Sequence, residues 1–194
     1  PVVIASSSGK AIQVRRAGLL RFEFNSTVGT TYALTMQLAA DAGNGRLVVG
    51  TRNGSVLGVV EGDVEVWRGI PYASKPERWT PPRAHGNWSG VRNCSDFGSQ
   101  CIQASGQGSE DCRFLNVVLH VTPPPAGGAA VLAWVHGGGY VNGSGSINTS
   151  SLVSLMGGRL IIVSMNYRLG VLGFLGSTAL RSRDPAHGST GSYG

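Results

Sequence analysis

The stretch that most constrains the fold is Ala130–Gly145, which reads AVLAWVHGGGYVNGSG. Its apolar run, residues 131–135, has the length and continuous hydrophobicity of a strand that is buried on both faces. The run ends abruptly in the sequence HGGG at residues 136–139. Glycine allows positive φ and lets backbone N–H groups approach a ligand closely. The stretch therefore predicts a buried strand followed by a glycine loop with accessible amides.

Amides fixed at the carboxyl end of a strand suit acyl-transfer chemistry. Open α/β sheets place their sites at this end of the strands, and preorganised N–H groups stabilise the oxyanion that forms during acyl transfer. An HGGG-type loop supplies such donors in lipases and esterases. A glycine-rich turn without a chemical task is the alternative that the motif alone leaves open.

Composition and charge exclude several classes of protein. The chain has 194 residues, of which 41% are hydrophobic and 13% charged, and this is not the composition of a disordered chain. No apolar run is long enough to cross a bilayer, so we predict no transmembrane segment. The net charge of +6 is concentrated in the first 55 residues, which hold six basic and two acidic residues. The remainder lacks a Lys/Arg cluster, and we expect no nucleic-acid partner.

Asparagine and cysteine usage favours the secretory pathway. Six of the nine asparagines stand in the pattern Asn-x-Ser/Thr, where chance would give about one or two. These candidate glycosylation sites are Asn25, Asn53, Asn87, Asn93, Asn142 and Asn148. Three cysteines, Cys94, Cys101 and Cys112, allow one disulfide and leave one thiol over. We therefore expect a secreted, disulfide-bonded glycoprotein.

Residues 1–50 fit the remainder of the chain poorly, and we assign residues 51–194 to the main domain. Arg15 and Arg16 precede a thin apolar stretch and the sequence Ala40-Asp41-Ala42, an order that resembles a signal peptide. A poorly ordered leader is the favoured alternative, because threonines interrupt the apolar stretch.

Short apolar runs separated by turn residues predict the elements of the main domain. Residues 47–51, 55–60 and 64–67, divided by Asn-Gly and Glu-Gly-Asp, predict an antiparallel meander. Residues 114–121, 129–135 and 159–166 predict three further strands. Residues 149–156 predict a helix that Asn148 or Thr149 caps and Gly157 ends. Strand, helix and strand over residues 129–166 predict a parallel crossover unit.

Five motifs carry a resemblance to a known family. They are Gly69-Ile70-Pro71-Tyr72-Ala73, Ser109-Glu110-Asp111-Cys112 with Leu115-Asn116-Val117, the HGGG loop, Asn166-Tyr167-Arg168-Leu169-Gly170 and Gly173-Phe174-Leu175. In this order and spacing they resemble the type-B carboxylesterase/cholinesterase/lipase family of α/β-hydrolases, over residues 55–194. The resemblance implies the N-terminal portion of an α/β-hydrolase fold, with an antiparallel start, parallel strands joined by a crossover helix, and an incomplete sheet.

The resemblance also implies residue roles. The family uses a Ser-His-Glu or Ser-His-Asp triad whose serine lies in a G-x-S-x-G turn. No serine here has that pattern, so we expect the nucleophile beyond Gly194 and expect the 194 residues alone to be inactive. Gly138 and Gly139 match the oxyanion-hole glycines, while His136 and Gly137 shape the loop.

Structural residues are implied in the same way. Cys101 and Cys112 match a family disulfide, and Arg78 and Glu110 match a salt bridge beneath its loop. Cys94 has no matching partner. The loop between Cys101 and Cys112 holds no aromatic residue to bind a choline head group, which argues against a cholinesterase.

The resulting hypothesis is a serine-type hydrolase of carboxylic esters, with a small-molecule or lipid ester as substrate. A non-catalytic, cholinesterase-like adhesion or binding protein is the alternative. We expect no metal and no cofactor, because His85, His120 and His187 are isolated and lack metal-ligand spacing. The oligomeric state stays open.

Overall fold

The computed structural model describes residues 19–25, 31–37, 47–186, 188–189 and 191–194, with side chains from Leu47 onward. The predicted cleavage sequence at residues 40–42, His187 and the side chain of Asn25 lie outside this part of the chain. Two strands fall within the segment that was expected to be a leader. The boundary at residue 50 stays a prediction.

Strands dominate the described part of the chain. They are β1 (Leu19–Asn25), β2 (Thr31–Gln37), β3 (Leu47–Thr51), β4 (Ser55–Glu61), β5 (Val64–Pro71), β6 (Val91–Asn93), β7 (Phe114–His120), β8 (Ala130–Val135) and β9 (Leu160–Met165). Helix α1 spans Ser150–Met156, helix α2 spans Gly170–Phe174, and a 3₁₀ helix spans Thr178–Arg183. No helix within these residues is long and apolar enough to cross a membrane.

The strands form one mixed sheet in the order β1-β2-β3-β4-β5-β7-β9-β8, with β6 pairing beside β4. The predicted meander is confirmed, because β3, β4 and β5 pair antiparallel in sequence. Its first turn is closed by a hydrogen bond from Thr51 N–H to Gly54 O of 2.8 Å. The predicted crossover unit is confirmed as well, since β8 and β9 pair in parallel over their whole length.

The core covers both faces of the central strands. Val117 and Val163 lie in one apolar cluster with the fully buried Trp67. Val118 and Ile162, the neighbours in sequence, lie in the cluster on the opposite face with Val64, Val66 and Val153 of α1. Alternation along a strand sends successive side chains to opposite faces. Two-sided burial therefore accounts for the continuous apolar sequences of β7 and β9.

Within the described residues β8 is not covered on both faces, in line with the expected incomplete sheet. β8 is the terminal strand of the sheet, and Leu132, Trp134 and Val135 are 41%, 45% and 60% exposed. Its neighbour β9 has the buried pattern instead, with four consecutive buried residues. An apolar run shows that a strand is suited to cover on both faces, but it does not show which elements provide that cover.

Helix α1 connects the two parallel strands. The Asn148 Oδ1 accepts a hydrogen bond from Ser150 N–H at 3.0 Å, whereas the Thr149 side chain makes no capping bond. Gly157 ends the helix in the left-handed conformation at φ 54°, which glycine adopts at little cost. The short helix therefore returns the chain to the start of β9 and leaves the glycine loop at the opposite end of the strands.

Candidate active site

The glycine loop begins where β8 ends. His136 directly follows the last strand residue, and Gly138 and Gly139 adopt positive φ values of 122° and 61°. The parallel neighbour β9 ends at the same edge of the sheet, at Met165. Two parallel strands thus deliver the loop and the residues after Met165 to one place, as the position of sites in open α/β sheets requires.

Gly138 is held in a tight backbone turn. Its carbonyl accepts hydrogen bonds from the N–H groups of Val141 and Asn142 at 3.2 and 3.1 Å. A side chain on Gly138 would collide with the carbonyl oxygen of Asn142, so only glycine fits there. Gly139 differs, because the space that a Cβ would occupy is open. The turn therefore depends sterically on the first of these two glycines.

The N–H groups of Gly138 and Gly139 donate no hydrogen bond to any part of the chain that the structure describes. Both residues line an open cleft of about 560 Å³. Backbone donors are normally paired when they lack access to water. Unpaired amides in residues that line a cleft are accessible to a ligand, and a developing negative charge is the ligand that such amides would stabilise most.

Aromatic side chains form much of the cleft. The lining residues are Tyr72, Val135, His136, Gly137, Gly138, Gly139, Tyr140, Met165, Asn166, Tyr167, Phe174 and Gly194. None of these residues is Asp, Glu, Lys or Arg. The dipoles of the Gly138 and Gly139 amides are therefore not accompanied by an Asp, Glu, Lys or Arg side chain among the described lining residues.

Both the ring and the backbone of His136 make contacts at the start of the glycine loop. It is only 7% exposed, and its ring stacks on Tyr167 with centroids 4.4 Å apart. Its Nδ1 lies 2.8 Å from the carbonyl oxygen of Gly137, a contact that assigns the proton to Nδ1 in the neutral ring. Tyr167 completes the arrangement, because its hydroxyl donates to the carbonyl of His136 at 2.8 Å. These contacts hold His136 at the point where the glycine loop leaves β8.

Two phenols stand close together at the cleft. Burial raises the pKa of Tyr167 above its ordinary value, and the nearby Tyr140 adds to this rise. Tyr140 is 63% exposed and has a φ of 64°, which is strained for a residue other than glycine. Its ring contacts Phe174 at 4.9 Å, and its carbonyl accepts a hydrogen bond from Gly170 N–H at 2.7 Å. Contacts of both its ring and its carbonyl therefore hold Tyr140 in this strained backbone conformation.

The disulfide loop lies beside the glycine loop. A disulfide joins Cys101 and Cys112, and Arg78 contacts the Glu110 carboxylate at 2.5 Å. Hydrogen bonds from Arg78 hold the pKa of Glu110 below its ordinary value, although burial opposes them. The same pairing raises the pKa of Arg78. Cys101 is therefore bonded to Cys112, and Arg78 contacts Glu110, as the resemblance implies. These residues hold the disulfide loop and do not line the cleft.

Sequence reasoning missed a set of buried polar side chains that hold the end of the glycine loop. Asn166 Oδ1 accepts from Gly145 N–H at 2.7 Å, and Ser164 Oγ donates to Gly145 O at 2.7 Å. Asn116 Nδ2 also donates to Gly145 O at 3.1 Å, while its Oδ1 accepts from Gly69 N–H at 3.0 Å. A polar residue inside an apolar strand, such as Asn116 in FLNVVLH, is the sequence signal that could have revealed this role.

The candidate glycosylation sites differ in accessibility. Asn87, Asn93, Asn142 and Asn148 are exposed. Asn53 is half-buried, and its Nδ2 donates to the His85 carbonyl at 2.6 Å.

Among the described residues no three His, Cys, Asp or Glu side chains are grouped as metal ligands would be.

Comparison with known proteins places these features in context. The carboxylesterase family matches residues 45–186. The fumonisin B1 esterase of Sphingopyxis macrogoltabida is 38% identical over an aligned length of 174 residues, and the match covers 84% of this chain and 32% of that protein. The para-nitrobenzyl esterase of Bacillus subtilis (strain 168) is 36% identical over an aligned length of 144 residues, and the match covers 66% of this chain and 29% of that protein.

A solved structure shows the same fold. The structure of a PNB esterase superposes with a TM-score of 0.65 at 36% identity, over 75% of this chain and 31% of that one. The expected α/β-hydrolase fold, with an incomplete sheet, is thereby confirmed. The chain spans about a third of the length of these relatives.

Proposed function

Because the chain belongs to the carboxylesterase family, we propose that it forms the oxyanion-binding portion of a serine-type hydrolase of carboxylic esters. The two relatives described above are named as esterases, which supports the reaction class. The observation that carries the proposal is the pair of unpaired amides of Gly138 and Gly139 in the cleft.

The proposed reaction divides its tasks between two parts of the protein. A serine attacks the acyl carbon while a histidine takes up its proton and gives it to the departing alcohol, and water then hydrolyses the acyl-enzyme to release the acid and free the serine. The amides of Gly138 and Gly139 hold the negatively charged oxygen of the tetrahedral intermediate, a contribution of about 10²–10³ in turnover per donor. This sequence contains no G-x-S-x-G, so we place the serine outside these 194 residues.

The substrate is a small-molecule or lipid ester that reaches the cleft from solvent. Tyr140 and Phe174 present apolar ring surface there, and no described lining residue is Asp, Glu, Lys or Arg. We also infer secretion and glycosylation. Four exposed sequons and the Cys101–Cys112 disulfide support this inference, because disulfides persist in oxidising compartments.

The test compares the 194-residue chain with the complete product of its gene. We expect the complete product to hydrolyse p-nitrophenyl acetate and to bind a fluorophosphonate covalently at one serine, whereas the 194-residue chain does neither above background. Replacement of the labelled serine by alanine is the control and should abolish both signals. A folded complete product that neither hydrolyses esters nor reacts with the probe would refute the proposal.

A further inference from the structure

The side chain of Gln103 connects the disulfide loop to the glycine loop. Its Oε1 accepts a hydrogen bond from Gly143 N–H at 2.7 Å, and its Nε2 donates to Gly143 O at 3.0 Å. The Nε2 also donates to Cys101 O at 2.7 Å. One N–H and two carbonyl partners fix which amide atom is oxygen, because the reversed orientation would leave every contact mismatched.

A second contact adjoins the first. Ala104 N–H donates to Val141 O at 3.0 Å and also lies 3.2 Å from the Asn142 Oδ1. The residues 141–143 are thus each contacted by Gln103 or Ala104. The disulfide loop is therefore in a position to restrain this whole segment of the glycine loop.

Residues 142 and 143 in turn support the amides that face the cleft. Gly143 lies so close to His136 and Gly137 that a Cβ there would collide with the ring nitrogen of one and the carbonyl of the other. Gly138 lies equally close to the carbonyl of Asn142. Because there is no room for a methyl group between these backbone segments, we expect a displacement of Gly143 toward residues 137 and 138 to move them as well.

We propose that Gln103 is a positioning residue, which sets the direction of the Gly138 and Gly139 amides through Gly143, and that the Cys101–Cys112 disulfide keeps Gln103 in place. The inference rests on the proposed function, because it assigns the loop's geometry a task in ester hydrolysis. Displacement of a catalytic group by about 1 Å costs about 10²-fold in rate. The amide orientation is therefore sensitive to a contact that lies outside the cleft.

The first experiment measures residue-resolved amide exchange by NMR in Gln103→Met, which is close in size and makes none of the three hydrogen bonds. Gly143 N–H loses its partner and exchanges faster under any interpretation. The informative amides are those of Val141 and Asn142, whose acceptor Gly138 O is chemically unchanged. We expect their exchange to accelerate at least tenfold while the amides of β7 stay unchanged.

Gln107→Met is the matched control. Gln107 lies in the same disulfide loop, is exposed, and makes no side-chain hydrogen bond within the described residues. We expect exchange at Val141 and Asn142 to be unaffected. Unchanged exchange at these two amides in Gln103→Met would overturn the proposal. Acceleration that extends equally to β7 would also overturn it, since Gln103 would then contribute only global stability.

The second experiment tests the role of the disulfide. Reduction of the Cys101–Cys112 bond in the full chain should accelerate exchange at Val141 and Asn142 in the same way as Gln103→Met. If the disulfide acts through Gln103, reduction of the Gln103→Met variant should add less than twofold. Independent effects would multiply instead, and this result would contradict the proposed connection.

The third experiment uses the complete gene product and separates this inference from the proposed function. We expect Gln103→Met to lower kcat for p-nitrophenyl acetate at least tenfold with KM changed less than twofold, since oriented amides act on the transition state. An equal loss in Gln107→Met, or a change in KM alone, would refute the positioning role. Absence of hydrolysis in every variant would refute the proposed function, while the exchange data would still decide the coupling.

Discussion

The Tyr167 hydroxyl donates a hydrogen bond to the His136 carbonyl at 2.8 Å, and the two rings stack 4.4 Å apart. One residue follows β9 and the other follows β8, so this contact joins the carboxyl ends of the two parallel strands. The first residue of the glycine loop is therefore held from both its ring and its backbone. This double contact fixes the position of His136 at the start of the loop.

Replacement of Tyr167 by phenylalanine should keep the ring stack and remove the hydrogen bond. We expect the free energy of unfolding to fall by about 1 kcal/mol, the usual net value of such a bond. Tyr193→Phe is the matched control, because the Tyr193 hydroxyl is buried without a partner among the described residues. Urea unfolding measures both variants. A loss in Tyr193→Phe as large as that in Tyr167→Phe would contradict the assignment.

The two glycines of the cleft should respond differently to alanine. Gly138→Ala places a Cβ against the Asn142 carbonyl at a φ of 122°, and we expect a loss of about 2–4 kcal/mol in stability. Gly139→Ala meets open space and bears only the cost of left-handed backbone, about 1–2 kcal/mol. Thermal and urea unfolding distinguish the two, and equal losses would show that the tight turn is not as described.

Stability should depend on pH through Glu110 in a defined direction. Its pKa is lowered in the folded protein by hydrogen bonds from Arg78, so it stabilises the fold above the pKa of the unfolded chain. This contribution is lost as the pH falls through the lowered, folded-state value. Because the pair is partly exposed, we expect only a few tenths of a kcal/mol. The difference between the native protein and Glu110→Gln should disappear in acid.

Glu65→Gln is a control for which the pH dependence of stability should have the opposite sign. Burial raises the pKa of Glu65, so the charged carboxylate opposes folding once the pH rises above the unfolded value. Glu65→Gln should therefore gain stability relative to the native protein as the pH increases. Unfolding curves between acid and neutral pH compare the three proteins, and slopes of the same sign for both variants would refute the assignment.

Sequence patterns predicted which residues form strands and turns better than they predicted which of these residues are buried. The meander followed from Asn53-Gly54 and Glu61-Gly62-Asp63, because these turn residues act locally. The burial of β8 could not be predicted, since the exposure of Leu132 and Trp134 depends on which elements lie next to the strand. A periodicity analysis contains no information on the order of strands in a sheet.

The same limit explains the candidate site. The glycine loop was found because three consecutive glycines are a local signal. Its support was not found, because Gln103 and Gly143 lie 40 residues apart, and Asn116 and Gly145 lie 29 apart. Such pairs meet only after β7, β8 and β9 are assembled. Polar residues in apolar surroundings mark that a partner is required without identifying it.

The remaining thiol should be unreactive in the folded protein. Cys94 is fully buried in the core, and burial raises its pKa to about 11. Since the thiolate is the reactive form, we expect no labelling by iodoacetamide at pH 8 in buffer and one equivalent per chain in urea. The Cys101–Cys112 disulfide should remain unlabelled in both conditions. Rapid labelling of Cys94 in buffer would show that this part of the core opens readily.

Asn116 offers the sharpest test of the buried polar support. It joins Gly69 N–H, Gly145 O and Ser164 Oγ, so Asn116→Leu would leave the Gly69 N–H without a partner and would remove one of the two donors to Gly145 O, the other being Ser164 Oγ. An unpaired donor of this kind costs about 1–3 kcal/mol, and we expect a loss of about 1–3 kcal/mol in urea unfolding.

Asn87→Leu is the matched control, because Asn87 is exposed and has only a long contact of 3.4 Å with Asn53. We expect a change within about 0.5 kcal/mol, as is usual for surface positions. Amide exchange at Gly145 should accelerate in Asn116→Leu beyond the change in global stability, because the loop end loses part of its attachment to β7. A tolerated Asn116→Leu with unchanged exchange at Gly145 would show that Ser164 and Asn166 suffice to hold the loop.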